Sequence, residues 1–216
     1  MRIFVAGASG VIGWHLVPLL IEAGHEVAGT TRSEAKAASI AAQGAQPIVV
    51  DVYDADDLRD AVVSFGAEAV VHELTDLPDD PDLLPEYAAA NSRIRIEGTA
   101  NLIAAAKAVG ATRFLAQSLA WELPPGPGAD GVAALERQVL EFGGTVLRYG
   151  QLYGPETYFS DRLPTEPRVS LETAARLTID ALEMPPGILV ITDEGIRPAE
   201  VPPAAPSAEP FPGGGD

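Results

Sequence analysis

Near its N-terminus the chain reads Ile3-Phe4-Val5-Ala6-Gly7-Ala8-Ser9-Gly10-Val11-Ile12-Gly13. Four apolar residues are typical of a buried strand, and the apolar spacing that follows is typical of a helix. Gly7 permits a tight turn, Gly10 lets the backbone approach a pyrophosphate, and Gly13 lets the helix pack closely on the strand. This order predicts a dinucleotide site with the pyrophosphate at the helix N-terminus. The alternative is a tight turn that binds no ligand.

Six more short apolar runs follow, and helical patterns alternate with them. The runs are Glu26–Thr30, Pro47–Val50, Ala69–His72, Phe114–Ala116, Thr145–Leu147 and Ile188–Ile191. The helical patterns lie near residues 11–23, 33–43, 55–64, 84–108, 131–142 and 170–183. This alternation predicts an α/β fold: a doubly wound parallel sheet (Rossmann) of about seven strands with helices on both faces.

Two segments interrupt the pattern. Leu123-Pro124-Pro125-Gly126-Pro127-Gly128 lacks amide donors and is rich in glycine, so it is predicted to be a loop. Residues 197–216 contain six prolines and end in three glycines and an aspartate, which predicts a mobile tail. The expected organisation is therefore one NAD(P)-binding domain over residues 1–196 and a Pro/Gly-rich tail over 197–216.

Composition excludes several classes of function. The chain has no cysteine and three scattered histidines, so neither a disulfide nor a metal site is expected. Its formal charge of −17 opposes binding to nucleic acid or to anionic membranes. No stretch reaches the roughly 18 apolar residues of a membrane helix, and the first strand runs directly into the glycine turn without a signal-peptide pattern. A cytoplasmic protein that acts on a small molecule is expected.

The end of the second strand bears on the choice of cofactor. NAD binders place an acidic residue there for the ribose 2′-hydroxyl, whereas this chain has Thr31 followed by Arg32. A guanidinium beside hydroxyls suits a 2′-phosphate, so NADP(H) is favoured over NAD(H). The alternative is that Arg32 is a solvated residue of the next helix. Asp51 and Val52 are expected near the adenine, although Asp51 is equally well interpreted as a loop cap.

With Leu74 and Gln117 at two further strand ends, the expected cofactor-binding residues are Gly7, Ser9, Gly10, Val11, Ile12, Gly13, Thr31, Arg32, Asp51, Val52, Leu74 and Gln117.

In these motifs the chain resembles the short-chain dehydrogenase/reductase superfamily. Within that superfamily it resembles an atypical NAD(P)-dependent epimerase/dehydratase-like member. Further motifs that carry the resemblance are Val70-Val71-His72, Glu97-Gly98-Thr99-Ala100-Asn101-Leu102, Arg113-Phe114-Leu115-Ala116-Gln117-Ser118 and Leu147-Arg148-Tyr149-Gly150-Gln151-Leu152-Tyr153-Gly154-Pro155. They follow the family's order over about residues 1–195. The resemblance implies the fold and the cofactor class but no particular substrate.

The chain departs from this family at the catalytic residues. The resemblance implies a Tyr-x-x-x-Lys pair in which the tyrosine is the acid/base, and the matching positions fall near Gly128 and Val132. The assisting hydroxyl falls near Leu119, with Ser118 adjacent. Hydride chemistry by the family's usual route is therefore not supported. The family's helical substrate region is also reduced to about fifteen residues before Ser170, so the substrate cap is expected to be largely missing.

Other side chains at the strand ends remain candidates for proton transfer. Glu73 stands where the family tends to be apolar, and a carboxylate beside a nicotinamide acts as a base if its pKa is raised. Tyr149 and Tyr153 flank the loop after the sixth strand. The alternatives are that Glu73 faces solvent and that the tyrosines pack over the cofactor or in the core.

Three functions remain open. The first is an NADP(H)-dependent reductase, epimerase or dehydratase on a small carbonyl or hydroxyl substrate with non-standard acid/base groups. The second is a non-catalytic NADP(H)-binding sensor or partner subunit, and the third is a non-redox cyclase or isomerase. A homodimer through the helices near 84–108 and 131–142 is expected, because their alanine runs permit close approach.

Overall fold

The computed structural model describes residues 1–199. Its strands are β1 Arg2–Ala6, β2 Glu26–Thr31, β3 Gln46–Val49, β4 Ala69–His72, β5 Arg113–Leu119, β6 Thr145–Tyr149, β7 Gln151–Tyr153, β8 Arg168–Ser170, β9 Gly187–Thr192 and β10 Gly195–Pro198. Its α-helices are α1 Val11–Glu22, α2 Glu34–Ala42, α3 Ala55–Phe65, α4 Leu84–Arg93, α5 Thr99–Val109, α6 Pro127–Phe142 and α7 Leu171–Leu182. A short 3₁₀ turn, Pro81–Leu83, precedes α4, and a π-helical turn, Ile94–Gly98, joins α4 to α5.

The main sheet has eight strands in the order β10-β9-β6-β5-β4-β1-β2-β3. All neighbouring strands are parallel except β10, which is antiparallel to β9. The chain moves outward from β1 through β2 to β3 and then continues at β4 on the other side of β1. Ligands of doubly wound sheets bind at such a switch point, beyond the carboxyl ends of the strands. The predicted Rossmann fold is confirmed, and the main sheet has eight strands where about seven were predicted.

Residues of β1 alternate between the two faces of the sheet. Ile3 and Val5 pack in one apolar cluster with α1, α2 and α7, whereas Phe4 and Ala6 pack in the other with α3, α5 and α6. All four side chains are buried, as expected for a central parallel strand covered by helices on both faces. The site at the switch point is therefore supported by a packed core on either side.

Two features of the fold lay outside the sequence expectation. The turn before Gly195, whose φ is +117°, reverses the chain and lets β10 pair with β9. A separate two-stranded parallel sheet, β7 with β8, lies beyond β6. Both pairings depend on where the chain returns in space, and neither segment has an apolar run long enough to indicate a strand.

Three predicted boundaries were wrong. Pro127 and Gly128, expected in a loop, form the first turn of α6, because proline at the start of a helix needs no amide donor. The single helix predicted over 84–108 is interrupted at Ile94–Gly98, and Gln138 Nε2 of α6 donates to the Ile96 carbonyl in that turn. Arg197 and Pro198 belong to β10, so the domain extends past residue 196. The remainder of the predicted mobile tail, residues 200–216, lies outside the described residues.

Within residues 1–199 no helix is long and apolar enough to cross a bilayer. Over the same range no three His, Asp or Glu side chains lie together in a way that could hold a metal ion.

Candidate functional site

The glycine turn between β1 and α1 is closely packed. Gly7 has φ +94°, and a Cβ on it would lie 2.9 Å from the backbone of Glu73. A Cβ on Gly13 would overlap the Gly7 carbonyl oxygen. Gly10 donates its amide to that same oxygen at 2.9 Å, and it precedes α1 with no side chain capping the helix. The amides of the first turn of α1, which includes Val11 and Ile12, therefore have no side-chain cap, and the glycines beside them leave room for an anion.

Hydroxyl groups at the end of β2 face this turn. Thr30 Oγ1 accepts the Gly7 amide at 3.3 Å, and Ser9 Oγ lies 3.3 Å from Thr31 Oγ1. Thr31 Oγ1 also accepts the Ser33 amide at 3.1 Å. The sequence interpretation included Ser9 and Thr31 but missed Thr30, whose signal was a second hydroxyl next to Thr31 at the end of the strand.

Arg32 follows directly after β2 and is exposed. Its Nη2 lies 3.7 Å from Asp76 Oδ1, in the loop that follows β4. The side chain of Arg32 is 58% exposed and that of Asp76 is 27% exposed, so the guanidinium is accessible to a ligand.

The segment after β3 reaches the same edge. Asp51 Oδ1 accepts the Tyr53 amide at 3.0 Å, which is the loop-cap geometry weighed as an alternative role for Asp51. Val52 is buried, and its carbonyl accepts from Asn101 Nδ2 at 2.9 Å. The guanidinium of Arg93 stacks on the ring of Tyr53, 3.9 Å from its centre. These contacts hold the 51–53 loop in place next to the end of β2.

His72 ends β4 and is a structural residue. Its Nδ1 accepts the Leu74 amide at 3.2 Å, so Nε2 carries the proton and donates to Thr99 Oγ1 at 3.0 Å. Burial, with a smaller effect of the charge on Arg95, lowers the pKa of His72 to about 3, so the ring is neutral. The imidazole therefore fixes the backbone of the loop that carries Glu73 and Leu74, and the Leu74 amide is already engaged.

Glu73 and Tyr149 lie together, although 76 positions separate them in the sequence. Tyr149 Oη lies 3.1 Å from Glu73 Oε1 and 2.6 Å from Thr178 Oγ1, and Thr178 donates to the Ala174 carbonyl at 2.8 Å. Tyr149 is the donor to Glu73 Oε1, so the two side chains form a buried hydrogen-bonded pair.

Burial dominates the electrostatics of Glu73. Burial raises the pKa of Glu73 to about 8, and the hydrogen bond from Tyr149 only partly opposes that effect. Its Oε2 is buried and has no hydrogen-bond partner within the described part of the chain. Burial also raises the pKa of Tyr149. Both side chains are covered by protein, so a role for either in proton transfer to a substrate stays a prediction.

Tyr153 lies apart from that pair. Its hydroxyl is 3.1 Å from Asp193 Oδ2, in the turn between β9 and β10. Burial and the hydrogen bond to Asp193 raise the pKa of Tyr153. The structure thus brings together two of the three predicted proton-transfer residues and separates the third.

The end of β5 carries a further polar cluster. Ser118 Oγ donates to Glu136 Oε1 at 2.6 Å, and Arg148 binds the same carboxylate through Nε at 2.8 Å and Nη2 at 2.6 Å. The hydroxyl of Ser118, which is the one nearest the position of the family's assisting serine, is thereby already hydrogen-bonded to Glu136.

Burial lowers the pKa of Arg95, in the π-helical turn, to about 10. Arg95 was not a candidate from the sequence, where nothing distinguishes it from an exposed helical arginine. Gln117, in contrast, is half-buried at the edge.

The first two turns of α6 carry neither tyrosine nor lysine. Gly128 and Val132 occupy the positions matched to that pair, as the sequence comparison expected. Residues 154–167, between β7 and β8, contain no helix. The hydroxyl of Tyr158 in this segment donates to the Pro78 carbonyl, which ties the segment to the loop after β4. The region that would form the substrate cap is thus a short loop at the carboxyl edge.

Comparisons with known proteins agree with this geometry. A family model described as NAD(P)H-binding matches residues 7–128. The chain is 40% identical over 186 residues to a 3-diazoavenalumate denitrifying reductase of Streptomyces sp, a match that covers 74% of this chain and 59% of the reductase. It is 31% identical over 116 residues to a 3-beta-hydroxysteroid dehydrogenase of Mycolicibacterium neoaurum, covering 53% of this chain and 31% of that protein. The chain therefore spans less than two thirds of either relative.

Solved structures share the fold. The UDP-glucose 4-epimerase of Thermus thermophilus, in complex with NAD, superposes with a TM-score of 0.74 at 20% identity, covering 91% of this chain and 79% of the epimerase. The UDP-glucose 4-epimerase of Thermotoga maritima, with UDP-glucose, gives 0.75 at 18% identity, covering 91% and 78%. At these identities the likeness establishes the architecture alone.

Proposed function

Because this chain belongs to the NAD(P)H-binding family of atypical short-chain dehydrogenase/reductase and epimerase-like proteins, we propose that it is an NADP(H)-dependent reductase of a small molecule. The observation that carries the proposal is the α1 N-terminus without a side-chain cap, set over a turn of glycines beside Thr30 and Thr31. These residues fit the pyrophosphate of a dinucleotide, because the amides supply donors and the glycines leave room for the ligand. A reduced nicotinamide bound here supplies a hydride.

Arg32 is proposed to select the phosphorylated cofactor. We expect NADPH to bind more tightly than NADH, since a charge-assisted contact to the 2′-phosphate contributes on the order of 1.5–3 kcal/mol. Arg32→Ala should remove most of the difference, as measured by titration calorimetry with both cofactors. Lys36→Ala, which removes a charge from the same helix start, serves as the control. Equal affinities in the unmutated protein would contradict the proposed preference.

The acceptor is proposed to be electron-poor. The start of α6 has no tyrosine or lysine, and the Glu73–Tyr149 pair is buried, so the described residues supply no accessible proton donor of the family's kind. A carbonyl needs a proton as it accepts hydride, whereas a diazonium group is already cationic and does not. The relative named as a denitrifying reductase of a diazo compound supports this substrate class for the present chain.

The proposal is tested by comparing two acceptors. For an arenediazonium ion the net reaction with hydride yields the arene and N₂. With 4-carboxybenzenediazonium as the acceptor, we expect the absorbance of NADPH to fall faster with the unmutated protein than with the Gly10→Asp variant. The variant corrects for spontaneous reduction. 4-Nitrobenzaldehyde should be reduced more slowly by at least tenfold, because general acid catalysis contributes roughly 10²–10⁴-fold where it operates.

Reduction of the aldehyde at a comparable rate would contradict the proposed acceptor class. Glu73, Tyr149 and Tyr153 are then the groups proposed to move the proton. Tyr149→Phe or Tyr153→Phe should in that case lower turnover without changing the affinity for NADPH. Binding of NADPH with no turnover of either acceptor would instead favour the second candidate, a non-catalytic NADP(H)-binding module, which the missing Tyr-x-x-x-Lys pair supports.

A homodimer is proposed from the outer surface of α4 and α6. These helices pack against each other, and Ser92 contacts Gly131 so closely that a Cβ there would lie 2.8 Å from the Ser92 backbone. Tyr87, Ile96 and Leu140 remain exposed. We expect light scattering at micromolar concentration to give twice the mass of one chain. A Leu140→Glu variant should lower the measured mass toward that of a single chain. A monomer in the unmutated protein would reject the proposal.

A further inference from the structure

The ion pair between Arg32 and Asp76 connects the two sides of the glycine turn. In the sheet, β1 lies between β2 and β4. Arg32 directly follows β2, Asp76 lies four residues past β4, and the turn Gly7–Gly10 follows β1. Their separation of 3.7 Å therefore places both charges beside the groove into which a dinucleotide would fit.

The backbone on each side of this ion pair is held by other contacts. The Asp76 amide donates to Asn91 Oδ1 of α4 at 3.0 Å, and the loop before it is fixed by the bond from Leu74 to His72. Thr31 Oγ1 accepts the Ser33 amide beside Arg32. The backbone that carries Asp76 is thus held near Arg32 by contacts other than the ion pair.

The surroundings leave Arg32 one acidic neighbour. Asp76 is the single carboxylate within 4.0 Å of its guanidinium across residues 1–199. The second arginine nearby, Arg93, is bound by Glu97 at 2.6 Å and stacks on Tyr53. A 2′-phosphate that arrives here would meet an accessible guanidinium whose charge is partly compensated by Asp76, and a carboxylate that repels it.

We propose that Asp76 is a specificity-determining residue that competes with the 2′-phosphate of the cofactor for Arg32. The inference rests on the proposed function, in which Arg32 is the phosphate ligand. An ion pair at this separation and exposure is weak, so a phosphate of nearly two charges displaces it. Asp76 therefore lowers the affinity for NADPH more than the affinity for NADH, which carries a neutral hydroxyl at that position.

The test is a set of dissociation constants measured by titration calorimetry for NADPH and NADH. Asp76→Asn removes the charge and keeps the shape of the side chain. The hydrogen bond from the backbone amide of residue 76 to Asn91 is also kept. We expect it to tighten NADPH about two- to fivefold and NADH less than about twofold, the scale of one partly exposed ion pair. Asp79→Asn, which removes one exposed charge from the same loop, should change neither cofactor by more than about twofold.

A double variant isolates the pair itself. In the Arg32→Ala background, Asp76→Asn should change the ratio of the NADPH and NADH dissociation constants by less than about twofold. The guanidinium for which Asp76 and the 2′-phosphate compete is then absent. Equal tightening of both cofactors by Asp76→Asn would overturn the inference, since the carboxylate would then act on the shared pyrophosphate. Unchanged affinities in Asp76→Asn would overturn it as well.

These outcomes separate the inference from the proposed function. If the unmutated protein shows no preference for NADPH but Asp76→Asn creates one, the proposed native cofactor choice fails while the competition at Arg32 is supported. If the unmutated protein prefers NADPH through Arg32 and Asp76→Asn changes nothing, the proposed function stands and the competition is rejected.

Discussion

Gly10→Asp is expected to abolish NADPH binding and to leave the fold as stable as before. Gly10 precedes α1 with extended φ and ψ of −86° and 176°, which any residue adopts, and aspartate is a favoured residue at that position of a helix. A Cβ there would lie 3.2 Å from the Gly7 carbonyl oxygen, a tight but tolerable contact. The new carboxylate would accept from the helix amides and repel the pyrophosphate, so binding should weaken by more than about 100-fold.

The matched control is Gly10→Asn, which has the same shape and the same capping ability without the charge. Calorimetry should show partial binding of NADPH by the asparagine variant and none by the aspartate variant. The free energy of unfolding of both variants, measured by thermal denaturation, should lie within about 1 kcal/mol of that of the unmutated protein. Glycine and a good capping residue differ little in their effect on helix stability. Retained binding in Gly10→Asp would mean that the pyrophosphate does not lie on this helix, and the dinucleotide site would be wrong.

Glu73→Gln is expected to stabilise the protein at alkaline pH. Burial raises the folded-state pKa of Glu73 to about 8, above its ordinary value of 4.5. The folded protein then binds a proton that the unfolded chain has released, so this residue's contribution is fully present below about pH 4.5 and is lost as the pH rises toward 8. At about 1.4 kcal/mol per pKa unit, the loss amounts to a few kcal/mol. Glutamine keeps a side-chain oxygen that accepts from Tyr149, and it cannot ionise.

The measurement is the free energy of unfolding of both proteins between pH 5 and pH 9 by urea titration. The difference between variant and unmutated protein should grow with pH and level off above about pH 8. Tyr149→Phe should move that plateau to higher pH, because the tyrosine hydrogen bond lowers the pKa of Glu73. Glu194→Gln, at an exposed turn, controls for loss of charge. A difference that does not vary with pH would show that Glu73 is ionised in the fold throughout.

The order of elements and the glycine turn were predictable because their signals are local. A buried parallel strand needs a short apolar run, and a backbone that passes close to a ligand or a helix needs glycine, as at Gly7 and Gly13. The absence of tyrosine and lysine from the start of α6 was likewise visible in the sequence. Such features depend on residues a few positions apart, so fold and cofactor class followed from composition and spacing.

The partners of the site's side chains were decided by the tertiary structure. Glu73 meets Tyr149 and Thr178 because β4 and β6 lie on either side of β5 and α7 covers that face. Asp76 reaches Arg32 because the chain crosses β1 at the switch point. Contacts between residues tens of positions apart depend on strand order and register, which no local pattern encodes. Burial then shifts the pKa values of the buried groups, and this is why the sequence placed a carboxylate at position 73 but could not show that the fold raises its pKa to about 8.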